Sequence, residues 1–205
     1  KSEIPLARGL KSSSAAANAA VLATLDALGE ELDSIEATKI GVAAARDAGV
    51  TITGAFDDAA ASMLGGVVVT DNREMKLLKR EELDSEVLLL VPEEKIFSKD
   101  TDVRRSRLIA PIADLIFELA LAGDYPRAMT LNGLVYCSAL KLSSDPIFAA
   151  LASGARGASL SGTGPAYAAL VEDENIDDVE SAMLDLGGRV IRTKVNNRGS
   201  FIGSR

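Results

Sequence analysis

Pro5-Leu6-Ala7-Arg8-Gly9-Leu10-Lys11-Ser12-Ser13-Ser14-Ala15 is the stretch on which the reading of this chain turns. One glycine and three serines lead into an alanine-rich run, Ser12 to Leu28, with Leu22, Leu25 and Leu28 along one side. That pattern predicts a helix, and Gly29 predicts its end. The first turn of a helix carries N–H groups with no partner inside the helix, together with the positive end of its dipole. Gly9 lets the backbone approach a ligand with no Cβ in the way. The combination is a phosphate site, and a serine hydroxyl there also suits Mg²⁺, a hard cation that prefers oxygen. Ser12 taken by itself is an ordinary N-cap residue; the whole string carries the reading. It is neither GxxxxGK[ST] nor a dinucleotide-binding fingerprint.

Outward from this loop, periodicity predicts helices near 34–46 and 57–64, each set off by a glycine or a turn. Gly66 to Thr70 and Met75 to Lys79 read as two strands of a hairpin, and Glu86 to Val91 as a buried strand stopped by Pro92. One long helix is expected from Asp102 to Ala122, then another from Pro126 to Leu140. Asp145-Pro146 starts a third, with Asp145 as N-cap and Pro146 at the first helical position. Strands at 157–160 and 166–171, a helix at 176–186 and a strand at 189–195 complete the chain. Strand, helices, strand, strand, helix, strand is the order of a ferredoxin-like sandwich with extra helices in its first crossover. The expected fold class is therefore α+β, with a boundary in the charged stretch Lys79-Arg80-Glu81-Glu82 that divides the chain into 1–82 and 83–205. The first part has helices but few strands to cover them. The expectation is that more strands precede Lys1.

Composition excludes several classes. A net charge of −8 with no basic stripe lacks the footprint of a nucleic-acid binder. Any polyanion bound here has to be held locally, by amides, a few Lys or Arg side chains and a divalent cation. No histidine is present, so a Ser-His-Asp triad is impossible, and with a single cysteine, Cys137, so is an intrachain disulfide. Zinc, which favours those two residue types, is not expected. Cys137 sits in an apolar helical pattern and reads as a small buried residue. No secretory segment opens the chain, and the apolar run from Leu108 to Ala122 is interrupted by Asp114 and Glu118 and is too short to span a bilayer. A reducing cytoplasm is the expected setting.

Residues 5–15 match, apart from Lys11, the P-x3-G-L-[GS]-S-S-[AS] phosphate loop of the GHMP kinases, the superfamily of galactokinase, homoserine kinase and mevalonate kinase. Gly157-Ala158-Ser159-Leu160-Ser161-Gly162-Thr163-Gly164-Pro165 resembles their second glycine loop. The segments GLKSSSAAANA, TGAFDDAAAS and LSGTGPAYAAL are similar to the archaeal-type shikimate kinases of that superfamily, and Lys11 is usual in that subgroup. The resemblance spans essentially the whole chain. It implies a two-layer α/β fold, with an incomplete ribosomal-S5-like N-terminal domain and a ferredoxin-like C-terminal one. It implies ATP and Mg²⁺ as cofactors and phosphorylation of shikimate to 3-phosphoshikimate, on the way to chorismate and the aromatic amino acids. Another small-alcohol kinase of homoserine or mevalonate type, or an inactive nucleotide-binding module, would share these motifs. Nucleotide contacts are implied for Pro5, Arg8, Gly9, Leu10, Lys11, Ser12, Ser13, Ser14 and Ala15, and for Ser161, Gly162, Thr163 and Gly164.

Phosphoryl transfer is largely positioning and charge neutralisation, with a carboxylate often placed near the attacking hydroxyl. By the same resemblance, Asp58 is the base or hydroxyl-orienting residue, with Ser62 four positions on and Gly65-Gly66 beyond it. Asp47, eleven residues before Asp58, and Ser13 are implied as Mg²⁺ ligands. N-capping of the following helix accounts equally for one of Asp57 and Asp58. For a carboxylate-bearing acceptor, Arg104, Arg105, Arg107 and Arg156 are the candidate partners, since arginine binds carboxylates bidentately; a basic cluster at a helix start also serves simply as a solvated face.

Overall fold

Residues 2–6, 8–49, 55–93 and 103–203 are described by the computed structural model. Thr51 to Ala55, between the second and third helices, reads as a connector; its residues 51–54 and the expected helix start at Asp102 lie outside the described residues. The chain forms two units: Lys1–Ser2 and Lys11–Leu83 with Val195–Arg205, and Glu3–Leu10 with Asp84–Lys194. The linear division expected at 82/83 falls beside the crossing at 83/84, but each unit also takes a short segment from the far end of the chain.

In the first unit, α1 (Ser12–Leu28) ends where Gly29 turns left-handed, with φ 69°. Gly29 N–H donates to Asp26 and Glu30 N–H to Leu25, which is the Schellman arrangement and satisfies the last carbonyls of the helix. Helix α2 (Ser34–Asp47) is started by Asp33, whose carboxylate accepts the Ile35 N–H at 2.8 Å. Helix α3 (Phe56–Leu64) follows, and then a hairpin of β1 (Val67–Asp71) and β2 (Lys76–Glu81). Val42, Phe56, Ala59 and Ala60 form the small core. Small residues allow close approach: a Cβ on Gly41 of α2 would lie 3.5 Å from Asn18 Oδ1 and 3.7 Å from the Ala17 carbonyl carbon of α1. Asn18 is fully buried, and its Nδ2 donates to the Ala59 carbonyl at 2.8 Å, pinning α1 to α3. The C-terminal segment closes this unit. Asn197 exchanges two hydrogen bonds with the Leu83 backbone, and Ser200 N–H donates to Met63.

The second unit carries a four-stranded sheet of β3 (Glu86–Val91), β4 (Gly157–Leu160), β5 (Tyr167–Val171) and β6 (Arg189–Lys194). Its order is β4-β5-β3-β6 with every pair antiparallel, which is the ferredoxin-like arrangement anticipated from element order. Leu88 and Leu90 of β3, Ala169 and Val171 of β5, and Val179 and Met183 of α8 (Ile176–Leu184) are at most 2% exposed and form the core. Helix α6 (Tyr125–Leu140) lies directly on β4, because Gly133 presents no Cβ to Ser159.

The expected single helix from Asp102 is instead two, α4 (Val103–Leu108) and α5 (Ala110–Leu121), parted at Ile109. Pro111 explains the break: it lacks an N–H, and its ring opposes the carbonyl one turn earlier. Asp145 is not an N-cap. It is the first residue of α7 (Asp145–Ala152), Ser144 precedes it, and Pro146 stands second. Ser143 Oγ accepts the Asp145 N–H at 3.0 Å. Among the described residues no helix is long and apolar enough to cross a membrane.

Candidate active site

Gly9 has φ 76°, a conformation that side-chain-bearing residues rarely adopt. A Cβ there would lie 2.6 Å from the Ser161 carbonyl oxygen and 2.7 Å from that of Gly164. Glycine is therefore required twice at this position, by torsion and by space. Ser161 Oγ donates to the Gly9 carbonyl at 2.8 Å, and Ala166 N–H to the Arg8 carbonyl at 3.1 Å. The Arg8 guanidinium donates to the Pro92 carbonyl. Positive φ at Gly162 and Gly164 shapes the turn that holds Arg8 and Gly9. Pro5, Leu10 and Thr163 are half-buried in the same unit.

The chain passes from the second unit to the first between Leu10 and Lys11. Lys11 occupies the N-cap position of α1 with left-handed φ 59° and ψ 30° and makes no side-chain cap. Ser12 is thus helical and does not cap. The first intrahelical bond runs from Ala15 N–H to the Lys11 carbonyl at 3.2 Å, so the N–H groups of Ser12, Ser13 and Ser14 have no acceptor within the helix. No acidic residue stands in this first turn, whereas α2 is capped by Asp33 and α3 carries two acids. An anion is the natural complement of such an end.

Asp57 and Asp58 are the second and third residues of α3. Neither caps it: Ala55 holds the N-cap position, and the Asp57 N–H goes to Asn72 Oδ1 in the hairpin turn at 3.0 Å. Asp58 Oδ2 lies 2.8 Å from Lys11 Nζ, with side-chain exposures of 18% for the aspartate and 37% for the lysine. Burial pushes the Asp58 carboxyl above its ordinary value; Lys11 works against that rise and Asp57 adds to it. This pairing was not legible in the sequence. Its one signal was a lysine where the family usually has a small residue.

Asp47 is the last residue of α2 and is exposed. A five-residue connection makes α1 and α2 an αα-hairpin. Gly41 packs at the level of Ala17 and Asn18. Six residues further along α2 is Asp47, level with the start of α1, so Asp47 and Ser13 share one end of the hairpin. Ser13 is exposed too. One hydroxyl and one carboxylate suit a cation that keeps most of its waters and takes its other ligands from phosphate. No group of three or more His, Cys, Asp or Glu able to hold a metal occurs among the described residues.

Two acceptor candidates are engaged elsewhere. Arg105 donates to the carbonyls of Ala139 and Ser138 at 2.6 and 2.8 Å, capping the end of α6. Arg156 pairs with Glu172 at 2.9 Å. Arg104 and Arg107 lie exposed on α4.

The family described as the GHMP kinases N-terminal domain matches residues 1–66. A shikimate kinase of Methanothrix thermoacetophila is 66% identical over 203 residues, covering 99% of this chain and 70% of the relative. Another from Methanosarcina mazei is 60% identical, covering all of this chain and 70% of the relative. In fold, the chain is similar to the crystal structure of homoserine kinase from Cytophaga hutchinsonii, with a TM-score of 0.70 at 22% identity, covering 97% of this chain and 69% of that one. These likenesses, falling on the same loop, helices and sheet described above, place the chain in the GHMP kinase family, among its archaeal shikimate kinases.

Proposed function

We propose that this chain transfers the γ-phosphoryl group of ATP to a hydroxyl of shikimate, giving ADP and 3-phosphoshikimate. The observation that carries the acceptor's identity is the 66% identity over 203 residues to a shikimate kinase. The site supports the chemistry. The open N–H groups of Ser12, Ser13 and Ser14 receive phosphate oxygens, with Ala15 continuing the turn. Pro5, Arg8, Gly9 and Leu10 give the loop its path. Ser161, Gly162, Thr163 and Gly164 serve the nucleotide by holding Arg8 and Gly9 in place. Ser13 and Asp47 would hold Mg²⁺, whose charge offsets that of the phosphates.

Asp58 receives the proton of the attacking hydroxyl as its oxygen bonds to the γ-phosphorus and the bond to the β-phosphate oxygen breaks. A carboxylate raised by burial is a better proton acceptor than an exposed one, and the Lys11 ammonium favours its ionised form. The setting we propose is a reducing cytoplasm, in which the single cysteine, buried Cys137, stays free. ADP release, measured by a coupled assay with shikimate, homoserine and mevalonate in turn, tests the assignment. Turnover with shikimate and none with the other two is expected; turnover with homoserine or mevalonate in its place would overturn it.

A further inference from the structure

We propose that Lys11 is a positioning residue: it draws the Asp58 carboxylate onto the backbone of the phosphate loop, so that base and nucleotide are placed by one segment. The inference rests on the reading of Asp58 as the base. Its geometry is independent of that reading. Lys11 Nζ lies 2.8 Å from Asp58 Oδ2, and the two residues belong to the same unit. Lys11 has φ 59°, left-handed, a conformation that disfavours any residue with a Cβ. Glycine would adopt it without strain, yet the position carries a long cationic side chain, and that side chain ends on Asp58. Immediately after it come the three open N–H groups of Ser12–Ser14.

Among the described residues, the charged groups acting on Asp58 are Lys11, at the head of α1, and Asp57, beside it on α3. Burial and Asp57 both favour the protonated acid, so Lys11 is the group opposing them. An ammonium has three donors. One held by Asp58 leaves two for the transferring phosphoryl group, which would then lie within reach of the base.

The test compares Lys11→Met and Lys11→Arg in the full chain. Asp58 titration is followed by ¹³C NMR of its carboxyl, and kcat, KM and ATP Kd are measured across the acid limb of the rate profile. In Lys11→Met the Asp58 titration should move up by roughly one pH unit or more. The acid limb of kcat should move with it, and kcat should fall by about 100-fold, a larger loss than any in ATP affinity, because the ammonium's contact to the transferring group strengthens in the transition state. Lys11→Arg should restore the titration and most of kcat. An unmoved Asp58 titration in Lys11→Met overturns the proposal, and so does a loss confined to ATP affinity with kcat at saturation intact. Asp58→Asn separates the two readings. Full activity in that variant sinks the base and the positioning role together; an inactive Asp58→Asn beside a Lys11→Met of unchanged kcat sinks the positioning role only.

Discussion

Replacing Gly9 by alanine should loosen the nucleotide site far more than its single methyl suggests. The added Cβ would stand 2.6 and 2.7 Å from two backbone carbonyl oxygens, those of Ser161 and Gly164. Ordinary contact begins near 3.4 Å, so both carbonyls would have to retreat by most of an ångström. Neither is the mobile end of a side chain. Forcing alanine to φ 76° adds about 1–2 kcal/mol, and the crowding about 1–3 kcal/mol more. The less costly escape is for the loop to lift off its support. That breaks the Ser161 Oγ and Ala166 N–H bonds to Gly9 and Arg8, at about 1 kcal/mol each. The net loss should therefore be about 2 kcal/mol, the cost of the two broken bonds, which is at the low end of the roughly 2–5 kcal/mol of holding the loop in place.

The assay is calorimetric titration with a non-hydrolysable ATP analogue, alongside a thermal melt. Affinity should fall at least about tenfold, since 1.4 kcal/mol is a factor of ten. Gly29→Ala is the internal control. Its φ of 69° imposes a similar torsional strain, but no atom lies within 4 Å of its Cβ position. It should lower stability by about 1–2 kcal/mol and leave ATP affinity alone. A Gly9→Ala protein with wild-type affinity and melting temperature would refute the claim that the 161–166 turn braces the phosphate loop.

Asp58→Asn should cost at least about 100-fold in kcat while keeping or raising thermal stability. The sign follows from the raised carboxyl: the folded state holds its proton more tightly than the unfolded one. Stability therefore falls as pH rises from the ordinary value of 3.8 through the folded value, and Asn removes that slope. A flat difference between wild-type and Asn melts across acidic pH would contradict it. Asp47→Ala should raise the Mg²⁺ concentration for half-maximal rate by roughly tenfold, read from rate against free Mg²⁺; an unchanged midpoint removes Asp47 from the metal. Arg105→Gln should lower stability by about 1–3 kcal/mol through the lost cap on α6 with shikimate KM unchanged; the reverse pattern would make Arg105 an acceptor ligand after all. Gly133→Ala places a Cβ 2.7 Å from Ser159 Cα and 2.8 Å from Ile147 Cδ1. It should destabilise by about 1–3 kcal/mol in a denaturant melt despite alanine's better helix propensity.

Local pattern determined much of this protein. Ser12–Leu28, Glu86–Val91 and Gly157–Leu160 begin and end where periodicity and punctuation place them. Strand and helix order was enough to anticipate the ferredoxin-like sheet, because two helical crossovers between parallel strands and one direct antiparallel connection, β4 to β5, admit few arrangements. The glycine turn at Gly9 and the open first turn of α1 were legible for the same reason: both are local properties. Pro111 was also in plain view, yet the apolar repeat across it outweighed its effect as a helix breaker in the reading of 102–122.

Tertiary structure decided what joins distant positions. Asn72 completes α3 from the hairpin turn, Arg105 is spent on α6, and residues 3–10 and 195–203 pack with the unit opposite in sequence. Lys11 meets Asp58 across a gap in sequence that carries no periodicity to announce it. The physical reason is common to all of these. Helix and strand formation depends on neighbours within a few residues, whereas the partner of a buried charge or an open N–H is chosen by which surfaces can be packed together without strain.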